Sequence, residues 1–407
     1  MKNLSTANLR TDSPGSGILQ RVASVDVYRG FVMLLMMGEI LSFSTVSEAL
    51  PGSSFWHLLA FNQSHVEWTG LSLHDMIQPS FTFLVGVVLP FSIAGRKQRG
   101  TSKSSILLHS FKRSLILICL GIFLRSIYSG QTNFTFEDTL TQIGLGYTLL
   151  VVLGFCSQKI QLLALIVLLV GYWGAFALYP LPAANFDYAA AGVIPDWQHN
   201  LQGFAAHWNK NTNLAWAFDQ WFLNLFPREN IFLNNGGGYA TLSFIPTLAT
   251  MLLGLIAGNT LHSNKTTREK WLFFLMTGAG LIAVGLLLYF VGINPIVKRI
   301  WTPAWTILSG GICFLMLAFF YLIVDVGGYK RWSFFLMVIG ANSIAAYCIA
   351  DGGIMLFIRK SLYIHLGKEY DKLLGTPYAT LVSGGLTLAF VWLILNWMYK
   401  KKIFIKI

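Results

Sequence analysis

Apolar side chains run through this chain in long blocks separated by short polar segments. The blocks lie near 26–46, 74–95, 106–128, 140–156, 160–179, 240–260, 270–292, 304–325, 334–358 and 378–399. Most approach the roughly 20 residues a helix needs to cross a bilayer. The fourth and fifth are short, with only Ser157, Gln158 and Lys159 between them. That spacing predicts a tight helical hairpin. The blocks lack the roughly ten-residue alternation of a membrane barrel, and backbone groups in lipid must be bonded internally. The pattern therefore predicts an all-α fold, a polytopic transmembrane bundle of about ten helices.

Composition agrees. Of 407 residues, 55% are hydrophobic and 11% charged, against about a quarter charged in soluble domains. The formal charge of +12 suggests nucleic acid only until its placement is seen. Lys and Arg cluster between the apolar blocks, as topology signals do, and no nucleic-acid partner is expected. With the N-terminus inside, the inner segments hold 19 Lys and Arg and the outer ones 8. Segment 47–73 has none, whereas the basic stretch 359–376 argues the other way. Both termini are thus predicted to be cytoplasmic. Residues 1–25, polar and rich in Ser, Thr, Gly and Pro, read as a disordered cytoplasmic tail. Residues 26–407 read as one transmembrane domain with extracytoplasmic loops 47–73 and 180–239. Cys119, Cys156, Cys313 and Cys348 all lie in apolar blocks without CxxC spacing, so neither a disulfide framework nor a metal site is expected.

Ionisable groups inside a span are costly and point to function. Asp26 and Arg29 share a helix face at the head of the first block. They read either as an ion pair fixing the helix end or as a phosphate-binding arginine held by its aspartate. Glu39 lies about 15 Å deeper by helical rise, where a carboxylate needs a pore or a partner. His65 precedes Glu67, Trp68, Gly70, His74 and Asp75. A histidine can accept and return a proton near neutral pH, with Asp75 or Glu39 to orient it, though a loop histidine is as readily a bystander. Gln142, Asn342 and Asp351 occur in later blocks. The two long loops are rich in Trp, Asn, Asp and His. They suit either a carbohydrate-binding surface or an interfacial aromatic belt.

Taken in order, several motifs resemble one family. They are Ser24 to Gly30, His65-Val66-Glu67-Trp68-Thr69-Gly70-Leu71, Asp75-Met76-Ile77-Gln78-Pro79-Ser80-Phe81 and Phe83-Leu84-Val85-Gly86. Leu140-Thr141-Gln142 with Tyr147, Gly340-Ala341-Asn342-Ser343-Ile344 with Tyr347, and the terminal Lys401 to Ile407 complete the series. The chain is similar in these to the heparan-α-glucosaminide N-acetyltransferase family, whose bacterial members are often labelled only as a domain of unknown function.

The resemblance implies an integral protein of a bacterial inner membrane. It would move acetyl from cytosolic acetyl-CoA to the amine of a glucosamine-type sugar or oligosaccharide on the far side, without a metal. His65 would be the catalytic histidine, with Asp75, Asn342 and Glu39 around it. Asn342 would stabilise the oxyanion, and His65 would act either as base or as acetyl carrier. Arg29, Asp26, Gln142 and Arg113 would serve acetyl-CoA. Trp68, Glu67, Asp351 and Asn235 would face the acceptor. The family commonly has Gln-Arg where this chain has Gln142-Ile143, and an acidic motif where it has Asn235-Gly236-Gly237-Gly238. Both departures bear on the acceptor more than on the reaction. An O-acetyltransferase on a periplasmic glycan and a sugar or solute transporter stay open as alternatives, and a homodimer is left open.

Overall fold

The computed structural model describes residues 22–183, 185–194, 196–329 and 331–405. Its helices in chain order begin with α1 (Ala23–Met37), α2 (Phe43–Ala49), α3 (Ser54–Gln63), α4 (Ile77–Gln98) and α5 (Lys103–Ser126). Next come α6 (Thr139–Gly154), α7 (Gln158–Leu178), α8 (Leu214–Phe222), α9 (Phe244–His262) and α10 (Thr267–Phe290). The last are α11 (Pro303–Phe320), α12 (Phe334–Ala341), α13 (Ser343–Asp351), α14 (Ile354–Leu366) and α15 (Ala379–Lys400). Apart from one antiparallel bridge, Thr69 to Val297, the regular structure among the described residues is helical.

Seven helices are long and apolar enough to span a membrane, and two bent pairs bring the total to as many as nine. α6 is apolar but shorter, at 16 residues. All ten predicted blocks are therefore helical, and the fold is a polytopic helical membrane bundle.

Two blocks are not single rods. The first bends by 42° at Ser42, which adopts left-handed backbone with φ 49°. The ninth, expected as one helix over 334–358, turns by 79° at Asn342 and stops again at Gly353, φ 76°. At the first break, Asn342 has non-helical backbone and its amide binds the C-terminal tail instead: Nδ2 donates to the Ile403 carbonyl at 2.8 Å, and Oδ1 accepts from Ile405 N at 3.1 Å. Of the predicted tail 1–25, residues 1–21 lie outside the described residues. Ser24 belongs to α1, where its backbone and hydroxyl both donate to Asp325.

The bundle is layered by burial. Within α9, 83% of the apolar window is buried, against 17% in α10 and 28% in α5, α7 and α15. α9 is thus the central rod and the others face lipid. α4 lies directly on α9, and glycines make this approach feasible. A β-carbon on Gly86 would sit 1.9 Å from the Met251 carbonyl oxygen, and one on Gly254 at 1.9 Å from that of Phe83. The α1–α12 pair is as close, a β-carbon on Gly340 meeting the Asp26 carbonyl at 1.9 Å.

The two long loops are folded rather than open. Segment 47–73 contains α3, and 180–239 contains α8. Trp68, Tyr172, Phe176, Trp208, Val297 and Ile300 form a separate apolar cluster that joins them to the end of the bundle. This cap defines a loop end. The head of α1, the tail of α4 and the C-terminal tail meet at the opposite, basic end, around one cavity.

Gly86→Val should disrupt the α4–α9 contact, because the obstacle is backbone that cannot rotate away. Overpacking costs about 1–3 kcal/mol or more. We expect a lower thermal midpoint and loss of a monodisperse peak in size-exclusion chromatography; a wild-type midpoint would refute this packing.

Candidate functional site

Two polar regions lie at opposite ends of α4. The first is a cavity of about 820 Å³ at the basic end, with Arg29, Arg96, His109 and Arg113 in its wall. Asp26 pairs with Arg29 at 3.4 Å. Arg113 donates to the Tyr147 hydroxyl at 3.0 Å and lies 4.6 Å over that ring. The deeper wall is apolar, with Phe81, Val85, Val88, Leu117 and Ile143. The tail residues Phe404 and Ile405, held by Asn342, close one side.

The second region centres on Asp75, which is 1% exposed. His65 Nδ1 is 2.8 Å from Asp75 Oδ1. Asp75 Oδ2 accepts from Val66 N at 3.3 Å, Ser72 N at 3.2 Å and the Ser72 hydroxyl at 3.0 Å. Lys298 Nζ approaches Asp75 Oδ1 at 3.2 Å and His65 Nδ1 at 3.1 Å. Burial pushes the Lys298 ammonium down to about 8, against the pull of Asp75. The His65 ring lies 4.5 Å from that of His74 and 6.5 Å from that of Tyr239. Its side chain remains 37% exposed, so the imidazole is fixed on one edge and open on the other.

α4 connects the two regions. Its cavity-lining residues, Phe81, Val85, Val88, Ser92 and Arg96, recur every three or four positions and so form one stripe. Continued toward the N-terminus, that stripe passes through Gln78 to His74, in the helical turn His74–Met76 ahead of α4. From Phe81 to Asp75 is about 9 Å of helical rise. Asp75 and His65 are not in the cavity wall.

The other predicted residues separate into groups. Arg29, Asp26 and Arg113 are brought together at the cavity. Gln142 is buried beside it, but its amide donates to the Phe136 and Thr241 carbonyls at 2.7 and 3.2 Å, and so braces the chain ahead of α6 and α9. Asn342 lies level with Asp26 near the basic end and does not meet His65. Glu39 lies in the helical turn Gly38–Leu41 that continues α1, exposed and near enough to Lys298 to attract its ammonium.

Trp68 is fully buried, its indole donating to the Trp208 carbonyl at 3.1 Å, which leaves no face for a sugar. Glu67 is exposed and meets His199 at 3.1 Å and the Trp197 indole at 3.3 Å. Asp351 ends α13 near the Arg125 guanidinium, which attracts it. Asn235 is a turn builder, its Oδ1 accepting from Gly237 N and Tyr239 N at 2.9 and 3.2 Å. That turn sets the Gly237 carbonyl to accept from Arg299 at 2.7 Å.

Lys298, Arg299 and Tyr239 were not among the predicted site residues. The first two were read only as loop charges, and no local pattern links them to His65 across 233 residues. An adjacent Lys-Arg pair next to the outer end of a span was the one available signal.

Two curated proteins align with most of the chain. Human heparan-alpha-glucosaminide N-acetyltransferase is 26% identical over 370 residues, 82% of this chain and 53% of the relative. The mouse protein of the same name is 24% identical over 369 residues, 80% and 53% respectively. The chain is similar in sequence to these acetyltransferases. It spans about half the length of the curated relatives it matches. No protein-family model matches it.

Near the site, Asp219 of α8 is buried with Oδ2 accepting from Thr241 N at 2.9 Å, while Oδ1 has no partner. Burial raises its carboxyl to about 7. A carboxyl raised on folding stabilises most below its unfolded value near 3.8 and loses that contribution as pH climbs through 7. Asp219 therefore contributes a downward slope to thermal stability in detergent between about pH 4 and 7. Asp219→Asn keeps the acceptor and should flatten that slope; an unchanged slope in tryptophan-monitored melts would refute the assignment.

Proposed function

We propose that this chain is a membrane acetyltransferase. It takes acetyl from acetyl-CoA at the basic end and delivers it to the amine of a glucosamine-type sugar at the loop end. The observation that carries this reading is the single helix face of α4 that lines an arginine-rimmed cavity at one end and leads to His74 and the His65–Asp75 pair at the other. The relatives, named as N-acetyltransferases for heparan α-glucosaminide, support the reaction class.

The chemistry follows from the residues. Arg29, Arg96 and Arg113 present guanidinium groups suited to phosphates, and the apolar wall beyond them suits a thin, uncharged pantetheine arm. With its Nδ1 proton given to Asp75, His65 carries a lone pair on Nε2. That atom would remove a proton from the neutral amine of the acceptor as its nitrogen attacks the thioester carbonyl. The carbon–sulfur bond breaks, the sulfur leaves as thiolate, and the proton held on His65 returns to it. Direct transfer and an acetyl-imidazole intermediate both use this nitrogen. By the excess of Lys and Arg near the basic end, that end faces the cytoplasm, and an inner-membrane location follows for a bacterial protein.

His65→Ala should abolish acetyl transfer from radiolabelled acetyl-CoA to glucosamine acceptors while leaving CoA binding intact; wild-type turnover would sink the assignment. Treating the product with hydroxylamine separates an amide, which survives, from an ester, which does not. Arg29→Ala should raise the apparent KM for acetyl-CoA roughly tenfold or more, in line with about 1.5–3 kcal/mol for a hydrogen bond to a charged group. An unchanged KM would count against its contact with phosphate.

A further inference from the structure

One buried side chain stands between the arginine-rimmed cavity and His65. His74 is 8% exposed, and its ring lies 4.5 Å from that of His65. Among the described residues its ring nitrogens have no hydrogen-bond partner. An imidazole carries at least one N–H in either protonation state, and a buried donor left unmet is costly. A donor so placed calls for an acceptor that arrives with a ligand. The turn that presents it is held from both sides. Leu73 N donates to Asn62 Oδ1 at 3.2 Å, Asp75 N to the Ser72 hydroxyl at 3.2 Å and Met76 N to the Leu73 carbonyl at 3.1 Å. Asp75 of the same turn binds His65, so the two rings keep a set relation.

The stripe of α4 that lines the cavity leads back to His74, which puts this ring on the cavity side of His65. Attack on a thioester carbonyl drives an electron pair onto its oxygen, and a donor aimed there stabilises the transition state. Asn342, expected in that role, is bound to the C-terminal tail at the basic end. The other donors around His65 are engaged. The Ser72 hydroxyl meets the Ser64 carbonyl at 2.6 Å and Asp75 at 3.0 Å, and Lys298 Nζ meets Asp75 at 3.2 Å. Arg299 is turned to the Gly237 and Val66 carbonyls. Tyr239 stands farther off, its ring 6.5 Å from that of His65 and covered by the Arg299 guanidinium.

We propose that His74 is a catalytic residue, the hydrogen-bond donor to the thioester oxygen as it becomes an oxyanion. The inference deepens the acetyltransferase reading and rests on it. As the acceptor nitrogen bonds the carbonyl carbon, the π pair moves onto oxygen, where the His74 N–H meets it. When the carbon–sulfur bond breaks, that pair re-forms the carbonyl and the hydrogen bond weakens. His74 keeps its proton throughout, so the proton taken from the amine still passes through His65 to the thiolate.

The test is steady-state transfer from radiolabelled acetyl-CoA to glucosamine by the full chain in detergent. His74→Phe keeps a ring and loses the donor. It should lower kcat by about 10²–10³-fold, the usual effect of removing one oxyanion donor, with the KM for acetyl-CoA unchanged. His74→Gln restores an N–H and should recover about tenfold or more of that loss. His74→Leu gives the same reading as His74→Phe if the phenylalanine variant does not fold. A wild-type kcat in the apolar variants overturns the proposal. So does a loss in His74→Gln as large as in His74→Phe, which marks a packing role. The two readings also separate. If His65→Ala is inactive yet His74→Phe turns over normally, the role of His74 fails alone. If the wild type neither binds acetyl-CoA nor releases CoA thiol, the acetyltransferase reading fails, and this inference with it.

Discussion

A buried carboxylate must be answered by donors, and the loop end is organised around supplying them to Asp75. Its two oxygens draw in the imidazole of His65, the backbone of Val66, both donors of Ser72 and the ammonium of Lys298. These groups come from the loop after α3, the turn before α4 and the segment between α10 and α11. Removing one such partner from a buried charge is costly, about 3–5 kcal/mol. Asp75 thus adds a polar lock between cap and bundle to the apolar cluster around Trp68 and Trp208, and the Thr69–Val297 bridge repeats it in backbone form.

α4 then carries the consequence through the membrane. Its packing on α9 needs glycine on both helices, which leaves its other face free to line a cavity. Because one continuous helical run, the turn His74–Met76 followed by α4 with Pro90 inside it, connects the two polar regions, their separation is set by helical rise and not by loop geometry. Arg29 and Arg113 reach the same cavity from α1 and α5, and the tail bound by Asn342 supplies the remaining side. On the proposed acetyltransferase reading, the arrangement suits a donor and an acceptor that never share a compartment.

Much of the bundle was legible because lipid imposes a simple pattern on sequence. Ten apolar blocks became helices, and the Asp26–Arg29 spacing became an ion pair. What stayed hidden is non-local. The break at Asn342 depends on a tail 61 residues away, and Lys298 meets His65 across 233. Trp68 illustrates a second blind spot. An aromatic in a polar loop looks like a sugar platform, yet the loop folds into a cap and buries it.

The partnership of α1 with α12 has a consequence for assembly. Ser24 bonds Asp325 across 301 residues, and Gly340 packs on Asp26. Contacts so distant in sequence form late, since the intervening chain must be made and inserted first. During synthesis α1 therefore enters the membrane carrying Asp26 and Arg29 well before the helices that flank them exist. The cavity at the basic end is among the last parts of the bundle to close, and a chain halted before α12 would hold those charges with one wall missing.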